Sequence, residues 1–155
     1  AIMEGGRIVQ WGTPEDIILR PANEYVAEFV AHMNPLHVIK ARSIMRPLHD
    51  CARDGERYFI DGERKASIRV DVSGKPIAAM IEGVDAPLLR VEADGVIPNN
   101  AKHGIALASP EITLKTAIAL RQTSGHGLGL VDHEGRLIGL CDDSDIYGGL
   151  LREKR

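Results

Sequence analysis

Asp142-Asp143-Ser144-Asp145 is the densest run of oxygen-bearing side chains in the chain. Such a run can hold a cation, cap a helix or receive the hydroxyls of a sugar, because an ionised carboxylate accepts two donors at once. A calcium loop starting at Asp143 would need glutamate at its twelfth position, where Lys154 stands, so a dedicated metal site is set aside. The six histidines form no i, i+4 pair and have no cysteine ligand set beside them, and read as surface or core residues. Gly125-His126-Gly127-Leu128-Gly129 has the glycines of a dinucleotide loop. That fingerprint needs a strand before it and a helix after it, and the order here is reversed. Gly127 and Gly129 instead suit a strand packed closely on a neighbour. With no nucleophile–base pair and no metal cluster, an isolated small enzyme has nothing to work with.

The elements around this run follow from local chemistry. Thr113 is an N-cap, able to accept from a free amide of the first turn. Leu114, Ala117 and Ile118 share a helical face, with Leu120 at its edge, and Gly125 suits the left-handed residue that ends a helix. Leu128 to Val131 and Arg136 to Cys141 read as short strands joined by the turn Asp132-His133-Glu134-Gly135. Asp142, Ser144 and Asp145 then cap a second helix.

This order resembles the CBS domain, a small module that works in tandem pairs. The residues carrying the likeness are Val131-Asp132, Gly135, Leu137-Ile138-Gly139-Leu140, Asp142 and Asp145, about a third of the chain. The resemblance implies an adenosine-type nucleotide in a cleft, near Asp145, Asp142, Ser144, Cys141, Ile105 and Leu130. It gives Asp145 the ribose hydroxyls; the plain alternative is a helix cap and nothing more. Asp142 departs from the family, which prefers a hydroxyl there to donate to phosphate. A carboxylate repels phosphate at close range, which turns the site towards an uncharged adenosine-like ligand or leaves Asp142 as a first-turn acid.

Composition bounds the rest. A chain of 155 residues suits one compact domain or two small ones, and 44% hydrophobic residues supply a core. Aromatics at 4% and a net charge of -3 argue against a nucleic-acid partner. No apolar run approaches the roughly 20 residues of a membrane span. The expectation at the start is that no signal peptide is present, since Glu4, Arg7 and Gln10 interrupt it. Cys51 and Cys141 form no C-x-x-C pair, which suits a reducing cytoplasm.

At the opening, Ala1-Ile2-Met3 and Arg7 to Trp11 read as a hairpin around Glu4-Gly5-Gly6. Thr13-Pro14-Glu15-Asp16 starts a helix, and Asn23 caps another on which Tyr25, Val26, Phe29, Val30 and Met33 recur. An ordinary hairpin and two amphipathic helices would satisfy this. The wording of Ile2 to Ile17 and of Pro21 to Phe29 also resembles the last segment of an ABC transporter ATPase domain. Its P-A-N-x-Y-V variant is similar to subunits of glycine betaine, proline or choline importers. The chain holds no G-x-x-x-x-G-K-[ST] loop, no L-S-G-G-Q-like signature and no catalytic acid. The expectation is a carboxyl-terminal piece whose ATP, magnesium and catalysis belong to a parent transport ATPase.

A repeat at an offset of 61 residues sets Val70 to Lys75 on Val131 to Arg136, Ile77 on Ile138 and Ile44 on Ile105. The predicted fold class is α/β (α+β type), a tandem CBS pair of β-α-β-β-α repeats behind a hairpin and helices. Residues 1–36 are the ATPase remnant, 37–95 a degenerate first motif and 96–155 the second. Between Leu48 and Lys65 two glycines disfavour a helix, each costing about 1 kcal/mol, and Tyr58-Phe59-Ile60 reads as a strand. Leu88 to Val91 is a further short strand, Gly95 to Gly104 an exposed connection, and the cationic tail a helix end.

Functionally the resemblance implies a regulatory module that senses ionic strength or a cytosolic nucleotide and modulates ATP-driven uptake. The alternative is a purely structural clamp for two ATPase subunits. Implied partners are a second copy, joined through Leu114, Ile118, Ile146 and Leu150, with permease subunits and through them a substrate-binding protein. The implied place is cytoplasmic, at the inner face of the membrane.

Overall fold

Short apolar runs separated by glycine turns give this chain twelve strands and five α-helices among the residues described, 1–152 of the computed structural model. The expected opening is present. Strands β1 (Ile2–Glu4) and β2 (Arg7–Gln10) turn at Gly5 and Gly6, both at positive φ. Helix α1 (Pro14–Leu19) begins in a capping box between Thr13 and Asp16, and Asn23 caps helix α2 (Glu24–Val30) by accepting from the Val26 amide. The stripe expected on α2 divides. Val26 and Val30 are buried with Ile17 and Ile18, whereas Tyr25, Phe29 and Met33 face solvent. Two short helices and one hairpin offer too little surface to cover both faces.

After helix α3 (Ala41–Ile44) the chain builds two five-stranded sheets. One is an antiparallel meander in chain order: β4 (Arg53–Asp54), β5 (Arg57–Phe59), β6 (Ala66–Val70), β7 (Pro76–Ile81) and β8 (Val84–Ala86). The other runs β3 (Arg46–Pro47), β12 (Leu137–Cys141), β11 (Leu128–Val131), β10 (Ile105–Ala108) and β9 (Leu88–Arg90). Parallel β10 and β11 are joined through helix α4 (Leu114–Ser124), since parallel neighbours need a crossover. Helix α5 (Asp143–Arg152) follows β12. Thr113 and Gly125 cap α4 as expected, Gly125 at φ 77°. The cationic tail beyond Arg152 lies outside the described residues.

The sheets pack face to face. Ile60, Ile68 and Val70 of the meander side meet Ile105, Leu107, Leu137 and Leu140. The far face of the second sheet, with Ala106, Ala108, Leu128, Leu130 and Cys141, is covered by α3, α4 and α5. Each fully buried leucine or isoleucine contributes on the order of 1.5–3 kcal/mol. This is an α+β architecture.

The 61-residue repeat has structural content in the hairpins. Val70 pairs with Pro76 and Val131 with Leu137, each just after a register shift. Asp71 accepts from the amides of Ser73 and Lys75, and Asp132 from those of Glu134 and Arg136. Gly74 and Gly135 both stand at positive φ. The likeness stops there, for Ile44 lies on α3 while Ile105 is in β10. The meander carries no helix from Arg53 to Ala86. Where the second hairpin runs into α5, Glu82 and Gly83, at φ 51° and 80°, turn the first into β8.

The sheets also cross the sequence division at residue 95. β3 and β9, on its amino-terminal side, are the two edges of the sheet containing β10 to β12. Nor is the connection after β9 wholly exposed. Ala101 is buried, and Asp94 accepts from the Thr113 amide and the Thr113 and Thr116 hydroxyls at the start of α4.

Candidate functional site

The acidic run lies at the end of β12 and the start of α5, against the last turn of α4. Arg121 of α4 reaches across to it. Its Nε donates to Asp142 Oδ1 at 3.0 Å and its Nη2 to Asp143 Oδ2 at 2.9 Å. Asp142 therefore meets a guanidinium, which offsets the charge expected to repel a phosphate. Asp145 accepts from the Asp142 amide at 2.8 Å, the reciprocal half of a helix cap. Arg46 Nη2 stands 3.8 Å from the same oxygen while donating to the Ile60 carbonyl at 2.7 Å. Burial pushes the Asp145 carboxyl above its ordinary value, against the downward pull of that amide and of Arg46.

An open cleft of about 490 Å³ separates this corner from the meander. Asp142, Asp143 and Arg121 form one wall, and Asp61, Lys65 and Glu82 belong to the other. Glu63 adds a further carboxylate, so acids outnumber the two cations, Arg121 and Lys65. The volume suits a small molecule. The charge does not suit a phosphate, since the carboxylates would be brought within a few ångströms of a like charge. Gly125, His126 and Gly127 close the cleft's end with backbone and a ring, surfaces that fit an uncharged or cationic group better.

The sequence-expected residues do not assemble around this cleft. Asp142 lines it. Asp145 is turned to its own helix cap and to Arg46. Ser144 is exposed. Cys141, Ile105 and Leu130 are fully sealed in the core, because hydrophobic alternation on β10, β11 and β12 buries both faces of that sheet. Burial drives the Cys141 thiol up to about 12. Among the described residues no group of histidine, cysteine and carboxylate side chains could hold a metal. Arg121 and Arg46 are not singled out by the sequence; the one signal for Arg121 is that it is the cation in the last turn of α4.

The same chain pairs each candidate acid internally, so its relatives carry more weight on function. It is 39% identical over 67 residues to the glycine betaine/carnitine transport ATP-binding protein GbuA of Listeria monocytogenes, covering 42% of this chain and 17% of that protein. It is 47% identical over 45 residues to the glycine betaine transport ATP-binding protein OpuAA of Bacillus subtilis, covering 29% of this chain and 11% of the relative. Over part of its length, this chain is homologous to ABC-transporter ATP-binding subunits. A longer and weaker match, 25% identity over 130 residues, is to the spermidine/putrescine import ATP-binding protein PotA of Desulfitobacterium hafniense. It covers 83% of this chain and 36% of that protein. The chain thus spans less than a fifth of the two glycine betaine relatives. No protein-family model and no solved structure matches it. No helix among the described residues is long and apolar enough to cross a membrane.

Proposed function

We propose that this chain is the carboxyl-terminal regulatory part of the ATP-binding subunit of a glycine betaine or choline-type importer. Residues 1–36 are the end of the ATPase domain; the portions 37–95, degenerate, and 96–155, which share one sheet through β3 and β9, make up a CBS-type pair that modulates ATP-driven uptake. The observation that carries this reading is the repeated hairpin, packed sheet on sheet with a charged cleft between the halves, in a chain partly homologous to glycine betaine relatives. Ionic strength is the input the cleft supports best. Its carboxylates and arginine are partly exposed, so salt screens them. An effector changes uptake only by favouring one arrangement of the assembly over another. The parent works as a homodimer with permease subunits and a substrate-binding protein, cytoplasmic at the inner face of the membrane. ATP and magnesium are bound by its ATPase domain.

The internal pairing of Asp142 and Asp145 favours a second reading, a structural dimerisation module that binds no ligand. Thermal denaturation against KCl, AMP, ATP and cyclic dinucleotides separates the two. A shift of several degrees with salt or one nucleotide supports regulation. A flat response to all of them leaves the structural clamp.

A further inference from the structure

A carboxylate on the second residue of a six-residue helix ordinarily faces water, yet Glu15 of α1 is 6% exposed. Both its oxygens are in use. Oε1 accepts the backbone amide of Lys40 at 2.5 Å, and Oε2 accepts Arg42 Nη2 at 3.0 Å. The other end of the Arg42 guanidinium donates to Glu111. These three residues come from three distant parts of the chain, 27 and 69 positions apart in sequence.

The segment Glu15 grips is sewn to the root of α4. The Leu114 amide donates to the Ile39 carbonyl at 2.8 Å, the Ala41 amide to Ile112 at 2.9 Å and the Arg42 amide to Pro110 at 2.8 Å. Lys40 and Thr113 form an antiparallel bridge. By contrast, the apolar attachment is slight. The amino-terminal core of Ile17, Ile18, Val26 and Val30 is a separate cluster, linked to the rest by the partly buried Val38, which packs on it, and by Leu19 of α1, which packs on the main core. Buried carboxylates that keep a charge need fixed partners. Here the partners lie on the segment that begins the crossover helix.

We propose that Glu15, Arg42 and Glu111 form the latch that couples the amino-terminal segment to α4, so that a displacement of α1 is carried to the first turn of that helix. Its two halves differ in kind. The Glu15 half is part-buried, with the Glu15 side chain only 7% exposed, and is screened less, while Glu111 is 58% exposed and its bond to Arg42 weakens more in salt. Residues 39–42 are thus tied to α4 by backbone bonds, to which the Arg42–Glu111 pair adds a salt-sensitive one, and to α1 through Glu15. The use of this coupling in transport rests on the function proposed above; the coupling itself does not.

Amide exchange read by mass spectrometry on the whole chain tests it. In Glu15→Ala, exchange through residues 14–30 should rise by about 10-fold or more while residues 105–141 keep their protection, a local opening and not a global one. Arg42→Ala should open the same segment, and the double variant should fall short of the sum of the two single effects, since both remove the shared Glu15–Arg42 bond. Glu111→Gln should give a smaller rise that disappears in about 1 M KCl, where the screening length falls to about 3 Å. Unchanged exchange at 14–30 in Glu15→Ala overturns the proposal, and so does an equal rise at 105–141. A chain that shows this pattern but responds to no nucleotide or salt in thermal denaturation keeps its latch and loses the regulatory reading.

Discussion

The backbone amide of Leu137 donates to the carbonyl of Gly74 at 2.9 Å, so the first residue of β12 is tied to the turn of the other hairpin. The two hairpins of the repeat are therefore joined at their turn ends as well as across their faces. At the opposite end the charged cleft lies between them.

Close approach of the sheets depends on two glycines. A Cβ on Gly129 would stand 2.8 Å from side-chain carbons of Ile68 and Leu107, and one on Gly127 only 2.6 Å from the Cys141 carbonyl oxygen. Side chains can yield and backbone cannot. Gly129→Ala should cost about 1–3 kcal/mol and Gly127→Ala more, read from urea midpoints. Equal, negligible effects would mean that the sheets are not in tight contact.

Asp145 carries a pH signature. Its carboxyl is raised on folding, so the folded chain holds that proton more tightly than the unfolded chain. Stability from this group falls as pH rises between the ordinary value and the raised one, and is level on either side. Asp145→Asn keeps an acceptor for the Asp142 amide and should remove that slope. Asp145→Ala loses the cap and should cost about 1 kcal/mol. Urea titrations from about pH 3 to pH 7 cover both protonation states; a wild-type and Asn pair that run parallel throughout would show that Asp145 is not desolvated.

Ligand affinity turns on Asp142. Asp142→Thr leaves Arg121 shared with Asp143 alone and removes a negative charge from the cleft wall. AMP, expected to bind weakly to the natural chain, should gain about tenfold in affinity, equivalent to about 1.4 kcal/mol. Calorimetry showing no binding to either protein would favour the structural clamp.

Neither cysteine should react while the chain is folded. Both are buried, and burial raises both thiols, Cys141 to about 12. The thiolate is the nucleophile, so iodoacetamide should label the native protein far more slowly than the urea-unfolded one. Rapid native labelling would reveal local opening of β12.

The homodimer expectation narrows to a different face. Leu114 and Ile146 are buried in their own chain, and Ile118 and Leu150 are partly covered. Tyr147 and Leu151, one turn apart on α5, are large apolar side chains left exposed, at 63% and 59%. If copies join through the helices, Tyr147→Glu should shift sedimentation to monomer without altering the melting temperature. A dimer untouched by that change must use another surface.

Sequence by itself determined what neighbouring residues decide. The caps at Thr13, Asn23 and Thr113, the left-handed Gly125 and the twin turns at Asp71 and Asp132 are local hydrogen-bond chemistry, legible without a fold. So was the 61-residue echo of Val70 in Val131. Tertiary structure decided what depends on distant partners. Ile105, Leu130 and Cys141 read as lining because nothing local says that a sheet is covered on both sides. The partner of Asp142 is not legible because Arg121 comes from another helix, and those of Glu15 are not because Lys40 and Arg42 lie far along the chain. Strands β3 and β9 joined a sheet across the expected boundary because the edges of β10 and β12 had unpaired amides and carbonyls to satisfy. Those are choices that only long-range packing can make.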